Sequence, residues 1–86
     1  MTTHTVVWHE KALEDLAAIW LASEQQQAVT ESVTRIDRIL RTDPSAKGVD
    51  FYGDRLLVVL PLAVVYAVKD QDRIVEILAA TASQNT

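Results

Sequence analysis

The sequence predicts an α+β domain in the order β-α-α-β-β-β, with a helical hairpin packed on a small antiparallel sheet. Three observations support this prediction. Apolar residues recur at helical spacing between residues 9 and 41. The second half of the chain is rich in Val, Ile, Leu and Tyr, with turn-forming residues between its apolar runs. A short β-branched and aromatic segment precedes both. We expect one domain over residues 1–86, with a polar tail from about residue 82.

The hairpin is predicted to follow a strand over residues 3–8. Its first helix begins near His9 and ends near Ala22, with an apolar side formed by Leu13, Leu16, Ala17, Trp20 and Leu21. Ser23 and Gln26 match a capping box, in which both side chains bond early backbone N–H groups, so a second helix is expected to begin at once. Pro44 is predicted to end that helix. Its core-facing stripe consists of Val29, Val33, Ile36 and Leu40.

The sheet is predicted to follow a loop at residues 43–54. Three antiparallel strands are expected over residues 55–60, 63–69 and 73–81. An antiparallel sheet with one solvated face alternates apolar and polar residues, but these strands do not. One predicted face carries Leu57, Val59, Val65, Ala67, Val75 and Ile77. The other carries Leu56, Val58, Leu60, Val64, Tyr66, Val68, Ile74 and Leu78.

An apolar second face needs a cover that two helices cannot supply, because they shelter only one side of a sheet. The cover is either the chain's own loop and N-terminal segment, a second copy, or a different protein. We favour a partner surface, and a protein partner is therefore the leading expectation for this chain.

Composition excludes several classes of protein. Eight Lys and Arg residues against twelve Asp and Glu residues give a net charge of −4, so no direct DNA binding is expected. The absence of cysteine excludes disulfides and thiolate metal sites, and it fits the cytoplasm. The N-terminal residues do not match a signal peptide. The longest uncharged apolar run, residues 56–68, is shorter than the ~20 residues of a membrane helix.

Cofactor and metal motifs are also missing. Two glycines in total exclude a P-loop and a dinucleotide-binding fingerprint. His9 and Glu10 begin a zinc-helix motif, but Leu13 stands where the second histidine is required. We expect no cofactor and no metal.

The order of the predicted elements and several segments carry a resemblance to a known family. Trp8 ends the first strand and is followed by a helix that contains Ala12 and Asp15-Leu16. The segment at residues 36–40 is followed by Pro44 and Gly48. Arg55-Leu56 and residues 61–68 and 72–78 then supply a matching sheet. Over roughly residues 5–80 this pattern resembles the RelE/ParE superfamily of toxins from bacterial type II toxin–antitoxin systems.

The resemblance implies a cytoplasmic toxin with a cognate antitoxin, in a system of the kind linked to plasmid stabilisation. Ribonucleolytic relatives cleave ribosome-bound messenger RNA with basic residues and a C-terminal Tyr or His. Residues 79–86 contain no basic or aromatic side chain, and Ala67 stands where many relatives place an Arg. The ParE-like branch, which inhibits DNA gyrase by binding, needs no such cluster and is favoured. A ribosome-dependent endonuclease and a decayed toxin retained as a small interaction protein stay open as alternatives.

Three sets of residues are candidates for a functional site. No catalytic residue can be assigned from the sequence. If the chain is an endonuclease, the candidate residues are Arg55, Tyr66, Lys69 and Arg73. Partner binding is predicted for Trp8, Trp20, Leu56, Val58, Val64 and Ile74. A basic ridge late in the second helix consists of Arg35, Arg38 and Arg41, which complement the helix dipole or contact a phosphate or an acidic partner.

Simpler structural roles compete with these assignments. Arg55 would pair with Asp54 or Asp50, and Tyr66 would be a packed core tyrosine with a bonded hydroxyl. An antitoxin is expected to lay an amphipathic helix or an added strand across exposed apolar surface of the hairpin and the sheet. A homodimer is the other way to cover an exposed surface of this kind.

Overall fold

The structure of the chain, a computed structural model, describes residues 3–83. Within them the chain forms β1 (Thr5–Trp8), α1 (Glu10–Ala22), α2 (Gln26–Leu40), β2 (Val49–Phe51), β3 (Asp54–Val59), β4 (Leu62–Lys69) and β5 (Ile74–Ala82). A 3-10 turn at Pro44–Ala46 connects α2 to β2. In this part of the chain, neither helix is long and apolar enough to cross a membrane.

The five strands form one mixed sheet in the order β1-β5-β4-β3-β2. Strands β3, β4 and β5 form the predicted antiparallel meander. Strand β1 lies parallel to β5 at one edge, and β2 lies antiparallel to β3 at the other. The predicted α+β class and its helical hairpin are therefore confirmed. Strand β2 is an addition, because its residues were predicted to be loop.

Both helices pack on the same side of the sheet, which we call the covered face. Helix α1 lies mainly over β5, and α2 lies over β3 and β4. The fully buried side chains between the layers are Ala12, Val29, Ile36, Leu40, Leu62, Val64, Tyr66, Val75 and Ile77. Ser32 is also buried, and its hydroxyl donates a hydrogen bond of 2.7 Å to the carbonyl of Leu60. A single hydrophobic layer thus holds the hairpin to the sheet.

The prediction from the sequence assigned the side chains of β4 to the wrong faces of the sheet. The tight turn after β3 pairs Val59 with Leu62, so an odd-numbered residue lies opposite an even-numbered one. Paired residues of an antiparallel ladder share a face, and the alternation therefore changes parity between β3 and β4. Val64, Tyr66 and Val68 consequently lie on the covered face. Val64 is completely buried, so its predicted contact with a partner is wrong as well.

Two predicted boundaries also differ from the structure. The capping box is not formed: Ser23 Oγ accepts a bond of 2.9 Å from the N–H of Gln25, and Gln26 Nε2 donates to the carbonyl of Trp20 at 3.1 Å. These bonds join the helices, and α2 begins only at Gln26. Strand β5 extends to Ala82, where a polar tail was predicted. Ser83 follows, and its N–H donates to the carbonyl of Pro61 at 2.8 Å. Residues 84–86 of the predicted tail lie outside the described residues.

Asp15 ties α1 to an unpaired stretch of β5. Because β1 ends at Trp8, the outer edge of β5 has no neighbouring strand beyond its first half, and β5 bulges at Leu78. Asp15 Oδ2 accepts a hydrogen bond from Lys11 Nζ at 2.8 Å and from the N–H of Ala80 at 3.1 Å. The bonds from Lys11 and then Ala80 hold the pKa of Asp15 below its usual value. A carboxylate thus satisfies a backbone donor that β1 leaves open.

Gly48 is expected to be irreplaceable by alanine, whereas Gly53 is a matched control. Both have positive φ, 64° at Gly48 and 89° at Gly53. A Cβ at Gly48 would lie 2.4 Å from the carbonyl oxygen of Leu56, while one at Gly53 would meet nothing within 4 Å. We expect Gly53→Ala to lower the free energy of unfolding by about 1–2 kcal/mol through backbone strain alone. Gly48→Ala should cost about 3–5 kcal/mol, since a backbone clash is added.

Urea denaturation followed by circular dichroism measures both variants. Equal losses in the two variants would contradict the close approach of Gly48 to β3.

Candidate functional site

The side of the sheet opposite the helices, which we call the open face, carries an apolar surface. Strand register places Val7, Val49, Phe51, Leu56, Val58, Ala63, Val65, Ala67, Ile74 and Ala79 on this side. Val49 remains 60% exposed and Val58 51%. Neither helix packs here, and the loop and N-terminal segment, as far as the structure describes them, leave Val7, Val49, Phe51 and Val58 exposed. Ala63 is buried, and the other side chains of this set are half-buried. The predicted apolar second face is therefore present, with a different set of β4 residues from the predicted one.

A second apolar surface lies on the hairpin, in a groove between α1 and α2. This hairpin groove has a volume of about 460 Å³ and is lined by Leu13, Leu16, Ala17, Trp20, Leu21, Val29, Thr30 and Val33. Leu21 is 73% exposed and Leu13 51%. The groove exists because α1 is apolar on two sides: Ala12 and Ile19 face the sheet, whereas Leu13 and Ala17 face outwards beside α2. The sequence predicted one apolar side for α1 and did not separate these two directions.

The six residues predicted to bind a partner do not lie on one surface. Leu56, Val58 and Ile74 lie on the open face, and Trp20 lines the hairpin groove. Trp8 packs against the hydrophobic core from β1. Apolar anchors thus occupy two separate surfaces, on opposite sides of the molecule.

Arg55 and Tyr66 are neighbours across β3 and β4, and both bind the loop before β2. Arg55 donates from Nε to the carbonyl of Lys47 at 2.7 Å and from its terminal nitrogen to that of Gly48 at 3.1 Å. The single Tyr66 hydroxyl proton is shared between the carbonyls of Pro44 and Lys47, at 2.9 and 2.8 Å. These bonds replace the expected pairing of Arg55 with an aspartate. They satisfy loop carbonyls at the edge of the core.

The environment of Tyr66 keeps its hydroxyl a hydrogen-bond donor. Burial raises the pKa of Tyr66, and the neighbouring Arg55 guanidinium opposes this shift only in part. The phenol therefore stays protonated at neutral pH, as donation to two carbonyls requires. Tyr66 is fully buried, in line with the packed core tyrosine weighed from the sequence.

Lys69 lies on the open face, away from Arg55 and Tyr66. Its ammonium binds Glu76 at 2.9 Å, and His9 binds the other oxygen of the same carboxylate. The bonds from Lys69, first, and His9 lower the pKa of Glu76. Arg73 is exposed in the turn between β4 and β5, with a φ of 55°. The four endonuclease candidates therefore lie in three places and do not surround one point.

The predicted basic ridge is exposed along the last turns of α2. Arg41 forms an ion pair with Asp37, and its carbonyl accepts the N–H of His4 at 2.7 Å. Arg35 and Arg38 have no ion-pair partner among the described residues. Arg38 lies in the last turn of the helix, where a cation complements the helix dipole. Within residues 3–83 no three potential metal-ligating side chains lie together.

Sequence comparison gives no relative: no protein-family model matches the chain, and no curated protein sequence matches it. Solved structures do match. The toxin–antitoxin complex RelBE2 from Mycobacterium tuberculosis shares 18% identity at a TM-score of 0.78, over 99% of this chain and 97% of that one. The chromosomal ParDE toxin–antitoxin system of P. aeruginosa shares 19% identity at 0.65, over 95% and 98%.

The isolated RelE toxin of E. coli also matches, with 14% identity and a TM-score of 0.58 over 96% of this chain and 87% of the toxin. Because that structure is of the isolated toxin, the likeness is to the toxin and not to an antitoxin. The chain has the fold of the RelE and ParE toxins. The resemblance predicted from its segments is thus confirmed for the fold.

Tyr66→Phe is expected to destabilise the chain although it keeps the ring. The change removes the hydroxyl that donates to the carbonyls of Pro44 and Lys47, while each carbonyl keeps one other donor, so the free energy of unfolding should fall by about 0.5–1.5 kcal/mol. Tyr52→Phe is the control, because Tyr52 is 92% exposed. Chemical denaturation of both variants measures the difference. A Tyr66→Phe protein as stable as Tyr52→Phe would refute the anchoring role.

Glu76→Gln is expected to reduce the loss of folding stability that occurs when the pH is lowered. Since the folded pKa of Glu76 lies below its usual 4.5, the carboxylate stabilises the fold above about pH 4.5. That contribution is lost as the pH falls through the folded pKa. Denaturation at several pH values from 7 down to about 2 should therefore show a smaller loss for Glu76→Gln than for the wild type. A loss of stability in acid as large for Glu76→Gln as for the wild type would contradict the role of the Lys69 and His9 bonds to Glu76.

Proposed function

We propose that this chain is the toxin of a type II toxin–antitoxin pair, that it acts by binding a target protein, and that a cognate antitoxin holds it inactive. The observation that carries the proposal is the open face: an apolar surface on a RelE/ParE fold that neither helix shelters. A monomer of this size rarely exposes such a surface unless a protein covers it. The matched structures from M. tuberculosis and P. aeruginosa are toxin–antitoxin systems, which supports an antitoxin as one of its covers.

The polar groups support action by binding better than RNA cleavage. Cleavage by the RNA's own 2′-OH needs a base, an acid and positive charge around one phosphate. Arg55 and Tyr66 are occupied by loop carbonyls, and Lys69 is paired with Glu76 on the other side of the sheet. A cluster of that kind would require these bonds to be broken. The ParE-like mode, in which the toxin inhibits DNA gyrase by binding, is accordingly the one we propose.

Partners and location follow from the same proposal. The antitoxin and the target, gyrase or else a ribosomal site, would compete for exposed apolar surface of the toxin, and both would be met in the cytoplasm. A homodimer through the open face would occupy the same surface, so it would have to dissociate before either partner binds.

Inducing the chain alone in a bacterial host should arrest growth while transcripts stay intact. Co-expression of the antitoxin from the neighbouring reading frame should restore growth. Val58→Lys, at a half-exposed position of the open face, should weaken toxicity or its neutralisation, whereas Gln71→Lys, in the exposed β4–β5 turn, should change neither. Growth curves and mapping of transcript ends supply the readouts.

Other outcomes would select the remaining alternatives. Cleaved transcripts that disappear with Arg55→Ala would favour a ribosome-dependent endonuclease. A folded protein that causes no growth defect would favour a decayed toxin retained as an interaction protein.

A further inference from the structure

The turn between β2 and β3 holds an aromatic residue in an unfavourable backbone conformation. Phe51 pairs with Asp54, so Tyr52 and Gly53 form a two-residue hairpin turn. Both have positive φ, 50° and 89°, as a type I′ turn requires. Asn, Asp and Gly adopt the first of these positions at low cost, whereas a bulky side chain there is an outlier. Tyrosine is therefore not the residue that the stability of this turn favours.

The side chain of Tyr52 does not recover this cost by burial. It is 92% exposed, and it contacts the ring of Phe51 edge to face, with the ring centroids 4.9 Å apart. Such a pair orients the ring but buries little area. An unfavourable φ at a residue whose side chain adds little to the core points to a function for that side chain.

The hairpin of β2 and β3 starts from a rigid base. Arg55 donates to the carbonyls of Lys47 and Gly48. The Tyr66 hydroxyl donates to those of Pro44 and Lys47. These bonds fix the loop before β2 against β3 and β4. A side chain presented on such a base loses less conformational freedom when it binds, which favours affinity.

Two aspartates flank the turn and make it negatively charged. Asp50 is exposed and Asp54 is half-buried, and neither forms an ion pair among the described residues. The guanidinium of Arg55, the residue paired with Asp50, is directed to loop carbonyls instead. Residues 49–55 thus carry two carboxylates against one guanidinium. Charge complementarity therefore favours Lys or Arg on the surface that meets this turn.

The turn projects away from the body of the molecule. A Cβ added at Gly53 would meet nothing within 4 Å. Val49 and Phe51 point to the open face from β2, so Tyr52 continues that apolar surface beyond the edge of the sheet. A projecting ring needs a concave pocket, which a folded protein offers and a single helix or strand does not.

We infer that Tyr52 is the anchor by which this chain binds its target protein, and that the ring enters an apolar pocket bounded by Lys or Arg. The inference rests on the proposed function and assigns one residue to the target and not to the antitoxin. Exposed aromatic residues that fill a partner's pocket are typical hot spots of protein interfaces. An antitoxin on the adjoining open face would still exclude the target, because the rim of the pocket would reach that face.

Two other occupants fit the turn less well. Single-stranded RNA would stack a base on Tyr52, but its phosphates would meet the carboxylates of Asp50 and Asp54. A second copy of this chain could offer its hairpin groove as the pocket, but that groove is lined without any Lys or Arg. The charge of the turn thus favours a different protein with a basic border.

Tyr52→Asn tests the anchor without disturbing the turn. Asn is preferred at this φ, and this gain offsets the lost contact with Phe51, so the melting temperature should stay within about 4 °C of the wild type. We expect the variant to lose growth arrest while it still co-purifies with the antitoxin from the neighbouring reading frame. Its affinity for purified DNA gyrase, measured by surface plasmon resonance, should fall about 30-fold. Tyr52→Phe should keep most of the affinity, and Gln71→Asn in the exposed β4–β5 turn should keep all of it.

The aspartates are tested through the rate of association. Asp50→Asn with Asp54→Asn should slow binding to gyrase about fivefold at low salt, and the difference should disappear in about 1 M salt. Glu31→Gln, at an exposed position of α2, is the matched control and should leave the rate unchanged. An association rate that the aspartate variant does not change would refute the basic border of the pocket.

The remaining outcomes separate the inference from the proposed function. A folded Tyr52→Asn protein that arrests growth like the wild type would refute the anchor and leave the proposed function intact. Loss of antitoxin binding in this variant would also refute it, because the ring would then belong to the antitoxin site. So would binding of a single-stranded RNA oligonucleotide that Tyr52→Asn abolishes, measured by fluorescence anisotropy. A wild-type chain that does not arrest growth would refute the proposed function, and the inference with it.

Discussion

Two helices can cover only one side of a five-stranded sheet, and the rest of this molecule follows from that constraint. Strands lie about 4.8 Å apart and helices pack 8–10 Å apart, so the hairpin is about as wide as the sheet and forms one complete layer. The aliphatic residues on the opposite side are then not covered by a helix, and Val49 and Val58 stay more than half exposed. The open face is therefore a consequence of the architecture combined with a sequence that stays apolar at alternating positions on both sides.

The few buried or half-buried polar side chains serve the architecture. Asp15 closes the edge of β5 that β1 does not reach, and Ser32 satisfies the turn carbonyl of Leu60. Arg55 and Tyr66 hold the loop in which Gly48 approaches β3 too closely for any side chain. Groups that would be candidates for chemistry in an unfamiliar sequence thus have structural partners. What remains free on the surface is apolar area and charge, the two features by which proteins recognise proteins.

The sequence predicted the parts of the fold that depend on local periodicity. The helices were found because their apolar spacing repeats over three or four turns. The faces of β4 were not, since they depend on whether the turn after Val59 holds an even or odd number of residues. Strand β2 was missed because it has three residues and its turn, Tyr52-Gly53, lacks the usual Asn-Gly or Asp-Gly signal. The apolar second face of the sheet could be predicted by counting the apolar residues in its strands. The hairpin groove could not, because the apolar residues of α1 form one broad side in sequence, and the spacing does not say which of them face the sheet and which face outwards beside α2.

The positions of the two apolar surfaces constrain any protein that covers both. The hairpin groove lies on the outer side of the helices and the open face on the far side of the sheet, with the hydrophobic core between them. No single rigid helix can contact both, so such a partner must pass around an edge of the sheet with at least two binding segments. Once the first segment is bound, the second binds at a high effective concentration, and affinity can exceed that of either segment by orders of magnitude. A target that needs only one surface would then be excluded by an antitoxin that holds two.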